Sequence, residues 1–169
     1  MLETKDLILD KARLEDWEAM YRNVWSHPES AKYMMWRVTE EEAGAPDRMR
    51  RTIEFQKSHD TYLVYLKATG DAVGFAGVEQ MGPTTWEEAG ICLGPDYVGR
   101  GFGRQILQRL VDYAKSLGAE EFVCYAREQN TASRALITSL GFAQVGAEEK
   151  TDERDGGSYI NLKYRKVLS

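Results

Sequence analysis

The sequence predicts an α+β protein with a mixed sheet, and three observations carry that prediction. The patterned segments run strand, helices, antiparallel strands, helix, strand, helix, hairpin. Helical periodicity dominates before Thr61 and strand-like alternation follows it. Finally, the apolar run Ile91-Cys92-Leu93 leads through glycines 99, 101 and 103 directly into a strongly periodic helix. No linker, repeat or low-complexity segment divides the 169 residues, so one domain spanning 1–169 is expected.

Leu7-Ile8-Leu9 reads as the first strand. Leu14, Trp17, Met20, Tyr21, Val24 and Trp25 recur at intervals of three and four, which predicts a helix. His27-Pro28 breaks it, and Pro28 suits the first position of a short helix reaching Met35. Thr39 to Glu42 has capping-box spacing, but Gly44-Ala45-Pro46 interrupts it; a further helix is expected from Asp47 to Gln56. Tyr62–Leu66 and Ala72–Val78 flank Ala68-Thr69-Gly70-Asp71, which is hairpin chemistry. Trp86 to Leu93 is the next strand. Its alternation places Glu88, Gly90 and Cys92 on one face and Glu87, Ala89, Ile91 and Leu93 on the other.

The helix after the glycines turns Ile106, Leu107, Leu110, Val111, Ala114 and Leu117 inward and stops at Gly118. Phe122–Ala126 is a strand, and Asn130–Leu140 a helix with Ala135, Leu136 and Leu140 as core contacts. Phe142–Val145 and Ser158–Val167 form a closing hairpin around Asp155-Gly156-Gly157.

Composition excludes several functions. With 43% hydrophobic and 29% charged residues the chain reads as an ordinary globular protein. A net charge of −5 argues against a generic nucleic-acid surface and favours cationic partners such as amines. No apolar run reaches the roughly 18–20 residues of a membrane span, and residues 1–6 lack a signal-peptide core. A cytoplasmic protein without membrane partners is expected. Cys92 and Cys124 lie in separate strand-like runs, and His27 and His59 are far apart, so no metal site is expected.

Chemistry concentrates at Tyr97-Val98-Gly99-Arg100-Gly101-Phe102-Gly103-Arg104. Glycines let successive backbone N–H groups converge, and the helix start adds unpaired N–H groups with a partial positive charge, which together suit phosphate. Arg100 and Arg104 in the first turn oppose the helix dipole unless an anion sits there. The spacing is neither G-x-G-x-x-G, since the third glycine would fall at Arg104, nor a nucleoside-triphosphate loop, since Gly103 precedes Arg104-Gln105. By themselves the glycines also fit a strand–helix corner without a ligand.

Three segments in this order resemble a known superfamily: Glu88-Ala89-Gly90-Ile91-Cys92-Leu93, then Tyr97 to Gly103, then Asn130-Thr131-Ala132-Ser133-Arg134 running to Leu140-Gly141-Phe142. Along essentially its whole length the chain is similar to the GNAT superfamily of acyl-CoA-dependent N-acetyltransferases, particularly the branch holding the ribosomal-protein N-terminal acetyltransferases. The resemblance implies a splayed, mostly antiparallel mixed sheet flanked by helices. Acetyl-CoA would place its pyrophosphate on Val98 to Arg104 and its pantetheine arm beside Ile91, Cys92, Leu93 and Asn130. Val98 stands where the family commonly has Arg or Gln, so one side-chain contribution is missing. Ile137 stands where many relatives carry a catalytic Tyr; Ser133 matches the serine of the closest branch and would serve the leaving thiolate. A helix-capping hydroxyl is the plain alternative for Ser133, as for Asn130.

The acceptor amine must lose a proton. An α-amine near pKa ~8 needs less help than a lysine near ~10.4. Glu88 is the candidate base or water-holder, with Glu79 and Glu87 behind it; a solvated strand carboxylate is the alternative. The resemblance implies direct transfer without a cysteine intermediate. The acceptor would be a small-molecule amine or a protein N-terminus, and exposed aromatics would permit a homodimer. A CoA-binding sensor or structural module without catalysis is the alternative function.

Overall fold

A computed structural model describes residues 1–169. Eight strands form one sheet: β1 (Leu2–Glu3), β2 (Leu7–Asp10), β3 (Asp60–Leu66), β4 (Ala72–Gln80), β5 (Thr85–Leu93), β6 (Glu121–Arg127), β7 (Ala143–Thr151) and β8 (Ser158–Val167). Their spatial order is β1-β2-β3-β4-β5-β6-β8-β7, and every neighbouring pair is antiparallel except β5–β6. The five α-helices are α1 (Trp17–Met20), α2 (Pro28–Ala31), α3 (Ala45–Gln56), α4 (Phe102–Ser116) and α5 (Thr131–Ser139). This is the mixed α+β sheet that the order of segments predicts.

Alternation along the strands gives the sheet two apolar faces, and the helices cover them separately. α4 and α5 bury Phe102, Ile106, Leu110 and Ile137 against Leu7, Val64, Val78 and Phe122. Met20, Val24, Trp25 and Met49 close over Leu63, Tyr65 and Cys92 on the other face. The β3–β4 turn is fixed by Gly70, whose φ of 78° lets its N–H reach Leu66 O at 2.7 Å.

Several expectations need correction. A short β1 precedes the first expected strand, held by Leu2 opposite Leu9. The segment from Leu14 to Trp25 is helical but changes pitch, from a tight turn at Leu14–Asp16 through α1 to a wide π-turn at Tyr21–Trp25. The wide turn brings both Val24 and Trp25 into the core, which periodicity alone assigned to a regular helix. The first strand of the closing hairpin runs on to Thr151 along the exposed sheet edge. Leu117 is half exposed because α4 has already ended, and Ala135 faces solvent while Ile137 takes the core position.

The alternation read for β5 also fails, for a specific reason. Val78 pairs with Glu88 and Ala76 with Ile91, so Gly77 alone stands opposite Ala89 and Gly90. This is a β-bulge, and Gly90 supplies the required φ of 118°. The extra residue puts Glu88 on the same face as Ile91 and Leu93. Cys92 turns to the opposite face with Phe75.

The sheet parts at the parallel pair. β5 and β6 pair at Thr85–Glu121, Trp86–Phe122 and Glu87–Val123, and no further. Beyond that point β5 stays with β4 as far as Leu93, and β6 stays with β8 as far as Arg127. Two strand edges therefore diverge from Glu88 and Cys124 onward.

Candidate active site

A cleft of about 1480 Å³ runs through this gap from one face of the sheet to the other. At one end lies the glycine turn with the start of α4; at the other lie Trp25, Trp36 and Arg48, and Glu88 lines the middle. The bulge and the divergence of β5 from β6 put the carboxylate where the two halves meet.

The glycine turn has the geometry of an anion cradle. Gly99 and Gly101 hold φ of 74° and 82°, and a Cβ added at either would meet nothing within 4 Å. The N–H groups of residues 98 to 104 have no acceptor within the protein; the first to bond is Gln105, to Gly101 O at 3.3 Å. Unpaired N–H groups at the start of a 15-residue helix are an electropositive surface facing the cleft. This fits the phosphates of a CoA-type ligand. Gly103 has a second use: a Cβ there would come within 3.2 Å of Leu136 Cδ2, so the glycine lets α4 and α5 approach closely.

The remaining residues of the turn divide. Val98 is 59% exposed and, with Arg104, lines the cleft; Arg104 Nη1 also donates to Ser139 Oγ at 2.7 Å. Arg100 instead stacks its guanidinium over Tyr97, 5.3 Å from the ring centre, off the cleft wall. Phe102 is buried in the α4 core, so its side chain is a packing group. Of the three strand residues expected beside a pantetheine arm, Ile91 and Leu93 line the cleft. The Cys92 side chain does not: its Sγ points to Ser30 O at 3.4 Å beneath the opposite helical layer, where the bulge directs it.

Across the gap, Asn130 caps α5, its Oδ1 accepting from Ser133 N–H at 3.2 Å. Asn130 caps through Oδ1 and also lines the cleft, and the Ser133 hydroxyl on the cleft wall has no bond within the protein. Burial pushes the Glu88 carboxyl up to about 7, with the Glu87 charge adding to the rise and the N–H groups of Gly90 and Ile91 restraining it. Residue exposure is intermediate, as befits a group enclosed by a concave wall but open to the cleft. Glu87, also on the wall, is raised first by burial and then by Glu79, and Lys163 and Lys150 moderate the shift. Burial pushes the Cys92 thiol up to about 12 and raises Cys124 further, so neither is a thiolate at neutral pH. No cluster of His, Cys, Asp and Glu with metal-binding geometry is present.

Sequence reasoning missed a charged clamp beside the cleft. Asp152 is 4% exposed and accepts from Arg154 Nη2 at 2.8 Å and Arg127 Nη2 at 3.1 Å; the two guanidiniums hold its carboxyl well below the usual range. Arg154 also donates to Ala31 O at 2.7 Å and Trp36 O at 2.9 Å, tying the β7–β8 loop to the end of α2 and the segment after it. Arg127 lies over the Tyr159 ring at 3.7 Å. The only sequence signal was the spacing of Asp152 and Arg154, which is indistinguishable from surface charge until the hairpin folds over α2.

The chain is similar to known proteins in both sequence and fold. Residues 6–143 match the Acetyltransferase (GNAT) domain family. The N-alpha-acetyltransferase RimI of Mycobacterium tuberculosis (strain ATCC 25618 / H37Rv) is 35% identical over 113 residues, 65% of this chain and 69% of that protein. An uncharacterized N-acetyltransferase p20 of Bacillus licheniformis is 29% identical over 149 residues, 86% of this chain and 83% of that protein. The fold matches RimL, a ribosomal L7/L12 alpha-N-protein acetyltransferase solved with coenzyme A, at TM-score 0.78 and 20% identity, covering 98% of this chain and 96% of that one.

Proposed function

The chain belongs to the GNAT acetyltransferase family, and from that premise we propose that residues 1–169 act as one unit that transfers an acetyl group from acetyl-CoA directly to a primary amine. The observation that carries this reading is the single cleft joining the glycine turn to Glu88 through the parted β5–β6 pair. Bound acetyl-CoA supplies an activated acyl carbon. The N–H groups of residues 98 to 104 hold its phosphates, with Arg104 beside them, and the free edge of β5 at Ile91–Leu93 and Asn130 guide the arm. RimI is named an N-alpha-acetyltransferase and RimL a ribosomal L7/L12 alpha-N-protein acetyltransferase; for this chain a protein N-terminus or a small-molecule amine fits the cleft's open end.

Glu88 holds the proton that the amine loses, directly or through water. Its raised pKa is suited to this, since a base near the working pH is both available and strong enough. The amine nitrogen then bonds to the acyl carbon as the carbon–sulfur bond breaks. Ser133, whose hydroxyl is unengaged within the protein, donates to the departing sulfur in this reading. Neutral, buried cysteines favour this direct route over a covalent acyl-enzyme.

Calorimetry on the wild type and Gly101→Val, with turnover on a panel of amines, tests the reading. Valine at a φ of 82° disrupts the cradle. Saturable acetyl-CoA binding lost in the folded variant, with turnover of at least one amine by the wild type, is expected. Equal affinity of wild type and variant would refute the cradle, and tight binding without turnover of any amine would favour a CoA-binding module.

A further inference from the structure

At the end of the cleft remote from the glycine turn, Arg48 on α3 lies between two indole rings, 4.8 Å from the centre of Trp25 and 4.9 Å from that of Trp36. Its Nη1 donates at 2.8 Å to Arg37 O and at 2.8 Å to Thr39 Oγ1, both neutral acceptors. Nε and Nη2 make no hydrogen bond within the protein, and no carboxylate pairs with the guanidinium. Its cleft neighbours differ: Arg51 pairs with Asp47 at 3.4 Å and Arg127 with Asp152. The adjacent Cys92 thiol is neutral at physiological pH and supplies no countercharge. The Trp36 indole N–H is itself buried with no hydrogen bond of normal geometry, its one nearby partner being the weakly accepting Cys92 sulfur. This end of the cleft is therefore rich in donors and poor in acceptors. Burial lowers the Arg48 pKa to about 10, which leaves it charged at neutral pH but poorly solvated.

Aromatic surface connects this cation to the reaction centre. Trp36 meets Phe75 edge-on at 6.5 Å, and Phe75 Cε2 would lie 3.6 Å from a Cβ on Gly90, at the bulge next to Glu88. We propose that Arg48 docks a carboxylate carried by the acceptor, so that the substrate is an amine with an acid group at the far end of an apolar body. The amine would sit by Glu88, the apolar body on Phe75 and Trp36, and the carboxylate on the free Nε and Nη2, the edge a guanidinium offers for bidentate pairing. A free amino acid and a peptide N-terminus bearing a nearby acidic side chain share this chemistry. The inference rests on the acetyltransferase reading for the identity of the amine end.

Product-side ligands test it without requiring turnover. N-acetylated amino acids with spacers of increasing length, each paired with its carboxamide, would be titrated against the tryptophan fluorescence of Trp25 and Trp36. An N-acetyl dipeptide amide with an acidic second residue separates the peptide source from the free acid. In the wild type at least one acid should bind ~10-fold or more tightly than its amide. Arg48→Gln should remove that preference while leaving amide binding within about twofold, and Arg48→Lys should restore part of it. Equal binding of acid and amide across the series, or a preference that survives in folded Arg48→Gln, would overturn the proposal. Preserved acid preference in a protein that fails to bind acetyl-CoA would instead sink the acetyltransferase reading and leave the Arg48 site standing.

Discussion

At the residue scale, Glu88 carries opposite consequences for rate and stability. Its folded pKa of about 7 lies above the ordinary carboxylate value of 4.5. Between those two pH values the folded state binds more protons than the unfolded chain, so stability falls as pH rises, and the penalty is complete above pH 7. Glu88→Gln removes it. We expect the variant to melt above the wild type at pH 8 and to converge with it below pH 5, as read by thermal denaturation. The same substitution should lower kcat by ~10²-fold or less, because a water relay can substitute, and should flatten the acidic limb of the pH–rate profile. Unchanged kcat and profile with a good acceptor would move the base to Glu87 or Glu79. Ser133→Ala should lower kcat and leave that limb in place. The residue types at 88 and 133 were legible in the sequence. The side on which Glu88 acts was not, because strict alternation paired it with Cys92 and only the register across Gly77 reveals the bulge.

Among the elements, the glycine turn was legible almost completely, since glycines, apolar strand and periodic helix all sit in one short stretch. The β7–β8 loop was not, because Arg154, which Asp152 holds in place, finds its other partners at Ala31 and Trp36, more than a hundred residues away in sequence. Asp152 is held ionised by Arg154 and Arg127, so its contribution is present above the ordinary carboxylate pKa and is lost as pH falls through the depressed folded value. Asp152→Ala should lower the melting temperature at pH 7 and leave two guanidiniums without their partner. Because Arg154 also anchors Trp36, KM for the amine should rise more than KM for acetyl-CoA. Equal changes in both constants would assign the clamp to global stability alone. Gly90→Val offers a complementary check on the bulge: at a φ of 118° the substitution is strained, and kcat should fall more than acetyl-CoA affinity.

For the whole molecule, the order of elements and the α+β class followed from patterning, because most strands and the longer helices turn a periodic apolar face to one of the two cores. The parting of β5 from β6 has no such signature: both strands look alike in sequence whether they pair for three residues or for their full length. That gap nevertheless organises the candidate site, bringing the glycine turn, the Glu88 carboxylate and Arg48 to one cleft. The thiols of Cys92 and Cys124 are both buried and neutral, the first directed beneath the far helices by the bulge and the second held in the cleft wall. Direct transfer across the gap is the central claim, and a single-turnover rapid-quench experiment with radiolabelled acetyl-CoA and a competent amine tests it most directly. The label should pass to the amine with no protein-bound acetyl at any time, in the wild type and in Cys92→Ser and Cys124→Ser alike. Transient label on either cysteine, with turnover lost on its replacement by serine, would contradict the account.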